Sequence, residues 1–477
     1  MVFSSATFLF VFLPAFFAVY YALPFRYRSA WILAASWIFY GWWRVDFLAL
    51  LVIGAVTGWL VGARIERLRR VHPARARLWL TCGVCVALGI LAYFKYFNFG
   101  VDTLSALFGA FGLAGLSAWR VVLPVGISFY TFQVISYMVD VHREDAPVAR
   151  SFVDVAAYVS LFPQLVAGPI VRYRELADQL VAREHSWERF SSGALRFMVG
   201  LARKVLIADA VAPLADAAYA AASPGFVGAW LGVAAYTIQI YFDFAAYSDM
   251  AVGLGRMMGF RFPENFDAPY HAVSITEFWR RWHMTLSRWL RDYLYIPLGG
   301  NRRGDRRTLV NLMTVMALGG LWHGAAWSFL LWGVWHGALL VTERITGMRR
   351  ASSPRRAGGT AAFLRRAGTL CAVMIGWVVF RAESIPRAAV LYASMLGLRG
   401  LGPDEALAWQ IETGAVVALV AGWVIVGAEP GLVRRLADPA GTAVLGAATR
   451  TAIYVVFALS LVRVLAASYS PFLYFQF

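Results

Sequence analysis

The sequence is a succession of long apolar runs separated by short stretches rich in arginine. A run of roughly 20 apolar residues has the length of a helix that crosses a bilayer. In lipid every backbone polar group needs a partner within the protein, so such runs fold as helices or closed barrels. Hydrophobic residues make up 60% of the chain and charged residues only 15%. We therefore predict an all-helical, multi-pass integral membrane bundle.

The apolar runs predict roughly 10–12 spans, with interfacial and re-entrant helices among them. The run at 8–22 has no basic segment before it, so we expect a first span rather than a removed signal peptide. We expect residues 1–477 to form a single membrane domain. The runs fall near residues 7–23, 30–43, 46–63, 78–97, 121–140, 152–170, 193–213, 227–258, 309–325, 326–342, 362–380, 413–428 and 443–466.

The formal net charge is +17, and nearly all of the positive charge is arginine. Arginines cluster between apolar runs at 64–77, 301–307 and 344–366. The positive-inside rule predicts that these three stretches are cytoplasmic, which leaves the N-terminus on the extracytoplasmic side. No basic face with base-stacking aromatics lies outside the spans, so nucleic acid is not an expected partner.

Two histidines lie in the apolar stretch 309–341, His323 in GLWHG and His336 in VWHG. An ionisable side chain at bilayer depth is costly unless it has a partner or takes part in function. We therefore treat each of the two histidines as a candidate functional residue. Imidazole also exchanges its proton near neutral pH. From Val310 a helix rises about 20 Å to His323, which predicts a position past the midplane, nearer the outer face. The alternative for His323 is a structural histidine that bonds a backbone carbonyl.

Residues 274–295 differ in kind from the spans. The sequence from Ser274 to Glu277 has capping-box spelling, which predicts a helix start at Ser274. Aromatic and aliphatic residues follow at spacings of three and four, which is one apolar helical face. The opposite face collects Thr276, Arg280, His283, Ser287 and Arg291. Such a helix lies in the interface plane or lines a polar funnel, where Arg280, His283 and Arg291 would attract an anionic ligand.

Asp243 and Asp249 lie in another apolar stretch. Carboxylates at this depth face the bundle interior, either in a proton path or in structural pairs with arginine. The seven histidines form no cluster with metal-ligand spacing, so we expect no metal site.

Six blocks taken together resemble the membrane-bound O-acyltransferase family, specifically its bacterial alginate O-acetyltransferase type. The resemblance covers most of the chain and is densest from about 120 to 340. Each block alone is a weak signal, but six in this order are specific. The blocks are LPVGISFYTFQ at 123–133, FPQLVAGPI at 162–170, GFRFPENF at 259–266, ITEFWRRWHMTLS at 275–287, RDYLYIPLGGN at 291–301 and GGLWHGAAW at 319–327.

The resemblance implies that His323 is the catalytic histidine and His283 the second motif histidine. It implies acetyl coenzyme A as a cytoplasmic donor substrate, with no tightly bound cofactor. Our own hypothesis from the arginine-bearing face is that Arg280 and Arg291 contact the phosphates of this donor. The implied acceptor is an extracytoplasmic, alginate-like polysaccharide, reached through a periplasmic partner transferase. The implied location is the bacterial inner membrane.

Other functions stay open at this point. The same fold transfers D-alanyl groups to teichoic acids or acyl groups to peptidoglycan. The segment 293–301 is more similar to that of the polysaccharide branch. A transporter would usually show halves related by an internal repeat, and none is evident. A non-catalytic scaffold for polymer secretion is the remaining alternative. The sequence names neither the polymer nor a covalent acetyl-enzyme.

Overall fold

The computed structural model describes residues 1–347, 359–403, 405–437, 445–466 and 473. Every regular element in these residues is helical, so the predicted all-helical class is confirmed. The number of spans and their orientation stay predictions, and part of the arginine-rich stretch 344–366 lies outside the described residues. Within these described ranges, six helices are long and apolar enough to cross a membrane: Leu48–Leu68, Pro73–Ala110, Gly225–Met257, Gly359–Arg381, Thr413–Pro430 and Ala447–Ala466.

The described chain divides into two compact units. The first consists of residues 1–190 and 254–263, and the second of residues 191–253 and 264 onward. The single domain expected for residues 1–477 stays a prediction.

The first unit is built from eight helices in its described residues, preceded by a π-helical turn at Phe8–Phe12. They are α1 (Leu13–Ala22), α2 (Phe25–Gly41), α3 (Leu48–Leu68), α4 (Pro73–Ala110), α5 (Ile127–Arg143), α6 (Phe152–Ser160), α7 (Phe162–Leu165) and α8 (Tyr173–Val181).

Helix α3 lies at the centre of this unit, packed against α4, α5 and α6. A Cβ atom at Gly62 of α3 would lie 2.7 Å from the ring of Tyr137 on α5, so only glycine allows this approach. Close helix contact through small residues is the usual way in which membrane helices associate, since lipid provides no hydrophobic drive between them.

The second unit contains the segments with the sequence motifs at 264–327. Helices α9 (Trp187–Ala202) and α11 (Gly225–Met257) belong mainly to this unit and extend into the first. Its other described helices are α10 (Asp209–Ala220), α12 (Ile275–Arg281), α13 (Met284–Leu290), α14 (Asp305–His323), α15 (Trp327–Ile345), α16 (Gly359–Arg381), α17 (Ile385–Met395), α18 (Glu405–Trp409), α19 (Thr413–Ala437) and α20 (Ala447–Ala466), with π-helical segments at Arg203–Ala208 and Arg291–Tyr295.

Helices α14 and α15 form a tight pair joined by three residues. A Cβ atom at Gly320 would lie 2.2 Å from the carbonyl oxygen of Phe329 and 3.1 Å from the Cα of Gly333. The two backbones therefore meet where each helix carries a glycine. His323 follows Gly320 by one turn and is the last residue of α14, so this contact fixes the place of its ring.

Candidate active site

The segment 274–295 begins as a helix where the sequence predicts it. The Ser274 side chain accepts a hydrogen bond from the Glu277 backbone N–H (3.1 Å), and the Glu277 carboxylate accepts one from the Val273 N–H (2.9 Å). The Glu343 carboxylate also accepts a hydrogen bond from the Thr276 N–H (2.9 Å). A carboxylate at this position is favourable because it meets the positive end of the helix dipole.

The single helix expected across 274–295 is wrong. Helix α12 ends at Arg281, α13 begins at Met284, and His283 between them has a left-handed φ of 43°. The preceding loop causes the break. The Asn265 carbonyl accepts a hydrogen bond from the Met284 N–H (2.9 Å), and the Asp267 N–H donates one to the Arg281 carbonyl (2.9 Å). These bonds replace the ones that a continuous helix would make.

The break separates His283 from the polar face on which the sequence places it. Arg280 and Arg291 are exposed, whereas His283 is fully buried. The prediction that His283 lies beside them at a cavity mouth is therefore wrong. Its ring instead packs edge-on against Phe244, with ring centroids 4.7 Å apart. Burial lowers the pKa of His283 to about 3, so its imidazole is neutral at physiological pH.

The two motif histidines are neighbours. The ring centroids of His283 and His323 lie 6.1 Å apart, with an interplanar angle of 61°. His323 is 5% exposed and lies between Trp332 of α15 (5.1 Å) and Phe380 of α16 (5.6 Å). Residues 40 positions apart in the chain thus form one buried pair, in a wall of aromatic rings.

A cavity of about 860 Å³ lies in the same unit. Thr276, Arg280, Ser287 and Arg291 of the predicted polar face line it. So do four arginines that the sequence analysis missed, because they lie off the predicted polar face, in α13, in a loop or in the apolar α15. These four are Arg288, Arg302, Arg303 and Arg344.

The six cavity arginines differ in their partners. Arg291 pairs with Asp292 (2.7 Å) and Arg344 with Asp305 (2.9 Å). Within the described residues, Arg280, Arg302 and Arg303 form no ion pair with a carboxylate. The cavity therefore carries uncompensated positive charge, which is the electrostatic requirement for binding an anion.

The loop that carries Arg302 and Arg303 has a defined backbone. Gly299 (φ 106°) and Gly300 (φ 55°) adopt conformations that favour glycine. The Asn311 amide of α14 donates a hydrogen bond to the Gly300 carbonyl (2.9 Å). The arginines thus project from a turn that α14 holds in place.

Neither histidine lines this cavity. On α14 the lining ends at Val315, eight residues and about 12 Å of helix from His323. Aromatic rings fill the space between the cavity and His323. The ring centroid of Trp279, in the cavity wall, lies 5.3 Å from that of His336, and the His336 centroid lies 5.0 Å from that of Trp332. His336 is fully buried, and neither of its ring nitrogens has a hydrogen-bond partner in the described part of the chain.

The acidic residues of α11 are structurally paired. Asp249 accepts hydrogen bonds from Arg196 (3.0 Å) and Arg203 (2.8 Å), and Arg203 also donates to Glu429 of α19 (2.6 Å). Asp243 pairs with Lys204 (2.7 Å). Of the two alternatives raised by the sequence, these contacts favour structural pairing, because each carboxylate has a cationic partner. No group of three metal-ligating side chains occurs in the residues that the structure describes.

Comparisons with known proteins agree with this architecture. Residues 146–382 match the model of the membrane-bound O-acyltransferase family. The chain is 46% identical to the probable alginate O-acetylase AlgI of Azotobacter vinelandii, over 100% of both chains. It is 35% identical to the peptidoglycan O-acetyltransferase of Helicobacter pylori, over 84% of this chain and 81% of that one. Identity to the teichoic acid D-alanyltransferase of Bacillus subtilis is 29%, over 45% and 58%.

A helical, multi-pass membrane protein with two adjacent motif histidines is thus also similar over its full length to O-acetylating enzymes. The chain belongs to the membrane-bound O-acyltransferase family and is an O-acyltransferase. The family resemblance noted in the sequence is confirmed.

Proposed function

We propose that this protein transfers acetyl groups from acetyl coenzyme A to hydroxyl groups of an extracytoplasmic polysaccharide, with His323 as the reacting histidine. The observation that carries the proposal is the combination of a buried histidine pair and an arginine-lined cavity within one compact unit. An anionic thioester fits this pair of environments, because its phosphates need the positively charged cavity and its acyl group needs the buried histidines.

The cavity is the proposed site for the donor. Coenzyme A carries several phosphate charges, and arginine binds phosphate oxygens in bidentate geometry. Arg280 and Arg291 were expected from the sequence to serve this role, and Arg302 and Arg303 now join them. On the predicted orientation the cavity opens to the cytoplasm, because its arginine-rich loop 301–307 follows the positive-inside rule.

The proposed chemistry uses His323 as general base. Its imidazole takes the proton of the acceptor hydroxyl while the hydroxyl oxygen bonds to the acetyl carbonyl carbon. The carbon–sulfur bond then breaks, and the departing coenzyme A thiolate takes the proton from the imidazolium. A positioned base contributes about 10²–10⁴ in rate. Orientation of donor and acceptor supplies a further part.

The names of the relatives support the proposed group and acceptor. The alginate O-acetylase and the peptidoglycan O-acetyltransferase described above each match most of this chain, and their names describe O-acetylation, which favours acetyl over D-alanyl transfer. Identity is higher to the alginate enzyme than to the peptidoglycan enzyme, and this favours an alginate-like acceptor. A periplasmic partner transferase that receives the acetyl group, in a bacterial inner membrane, completes the proposal. A transporter or scaffold without chemistry is the alternative that the following experiment excludes.

The test is the acetyl content of the secreted polymer in a strain that lacks the gene and carries it back on a plasmid. His323→Ala should abolish acetylation while the protein accumulates normally in the membrane. The matched control is His336→Leu, which removes an equally buried imidazole from the neighbouring helix and should leave acetylation near the wild-type level. Normal acetylation by His323→Ala would refute the proposal.

A further inference from the structure

Asn265 occupies a central position beside the histidine pair, and the sequence analysis assigned it no role. The residue is 1% exposed and lies in the loop that follows α11. Its amide oxygen contacts the Thr285 backbone N–H (3.3 Å), the Thr285 hydroxyl (2.9 Å) and the Nδ1 of His283 (3.1 Å). Its amide nitrogen donates to the Ser248 hydroxyl (3.0 Å).

These contacts determine which way the amide points. A backbone N–H only donates, so the Asn265 atom that faces the Thr285 N–H has to be the oxygen. The amide nitrogen then faces Ser248, whose hydroxyl can accept. The orientation that is ordinarily ambiguous for asparagine is therefore settled by its partners.

The orientation of Asn265 in turn determines the proton of His283. The amide oxygen has no proton to give, so the Nδ1 of His283 has to carry the hydrogen of that bond. A neutral imidazole has one N–H, which leaves Nε2 with a bare lone pair. Within the described residues this buried Nε2 has no hydrogen-bond partner. A buried acceptor without a partner is costly, which points to a functional role for this nitrogen.

We propose that Asn265 is a positioning residue, which holds His283 in the Nδ1–H tautomer so that Nε2 shares the proton that His323 takes from the acceptor. The inference rests on the proposed function. When His323 becomes an imidazolium, the bare Nε2 of the adjacent ring accepts a hydrogen bond from it and stabilises the charge among aromatic rings, whose indole N–H groups only donate. In the opposite tautomer, Nε2 would present an N–H to a cation.

The backbone of Asn265 supports the same role. Its carbonyl accepts the hydrogen bond of the Met284 N–H, which maintains the left-handed turn at His283. One residue thus sets both the place and the tautomer of the ring. Ring contacts with Phe244 (4.7 Å) and Trp322 (6.0 Å) leave few other orientations.

The test is solid-state nitrogen NMR of the full-length protein in lipid vesicles, with ¹⁵N-labelled histidine. The nitrogen shifts distinguish a bare ring nitrogen from an N–H, and His283→Gln identifies the signal to follow. We expect Nδ1–H and a bare Nε2 in the wild type. Asn265→Leu should mix or reverse the tautomers. Asn265→Asp, which keeps an acceptor oxygen at Nδ1, should retain them.

Kinetics complete the test. Asn265→Leu should lower kcat at least about tenfold, as is usual when the partner that orients a functional histidine is lost. It should leave the KM for acetyl coenzyme A unchanged, and Asn265→Asp should recover part of kcat. Thr285→Val, which removes one contact to the same oxygen but none to His283, should behave as the wild type.

An Nε2–H at His283 in the wild type would overturn the inference, and so would an unchanged kcat in Asn265→Leu. The wild-type spectrum gives the tautomer of His283 even if the leucine variant fails to fold. The spectrum can be recorded without any acetyl transfer. An unexpected tautomer would therefore overturn this inference alone, whereas an active His323→Ala would overturn the proposed function.

Discussion

Arginine serves two opposite purposes in the second unit. Arg196 and Arg203 are buried, and both donate to Asp249, while Arg203 also reaches Glu429. Arg280, Arg302 and Arg303 lie at a cavity and form no ion pair with a carboxylate in the described residues. A buried charge needs a partner within the protein, whereas a charge beside a water-filled cavity remains available to a ligand. The first group should therefore determine stability and the second affinity.

The largest effect should follow from removing the shared partner of the buried arginines. Asp249→Ala leaves Arg196 and Arg203 each with one carboxylate fewer. Arg196 keeps Glu264 and Arg203 keeps Glu429, so the cost is that of the lost charge-assisted hydrogen bonds to Asp249, about 1.5–3 kcal/mol each. We expect a large loss of folded protein and a lower Tm in detergent. An unchanged Tm would mean that the network is not structural.

An intermediate effect should follow from removing the free cavity arginines. The double variant R302Q/R303Q should raise the KM for acetyl coenzyme A about tenfold per arginine, since each lost charge-assisted contact to phosphate weakens binding. Because these residues lie at the cavity and not at the histidines, kcat and Tm should stay at the wild-type values. A changed Tm with an unchanged KM would reverse the assignment of the two groups.

The smallest effect should occur at the cavity arginine that already has a partner. Arg344 pairs with Asp305, whose side chain is 89% exposed. Arg344→Gln should raise the KM only about two- to threefold, because an exposed ion pair is weak and part of the charge is already offset. Asp305→Asn should lower the KM slightly, because it releases Arg344 to the ligand. A KM for Asp305→Asn equal to or above that of the wild type would show that Asp305 does not withhold Arg344 from the ligand.

The contrast also shows what the sequence reveals. The helix start at Ser274 and the long apolar helices were predictable, because capping and hydrophobic length are local properties. The burial of His283 was not, because the break at 282–283 depends on hydrogen bonds from Asn265 and Asp267, which lie outside the helix. Likewise Asp249 pairs with Arg203, which is 46 positions away in the sequence, and no local sequence pattern predicts that contact.

The central claim is that His323 performs the transfer and does not merely support the fold. The most direct measurement is the rate at which membrane vesicles incorporate labelled acetyl groups from acetyl coenzyme A into polymer, compared between the wild type and His323→Ala at saturating donor. The account predicts that the variant binds donor with wild-type affinity and incorporates label only at the background rate. Wild-type incorporation by His323→Ala would contradict it.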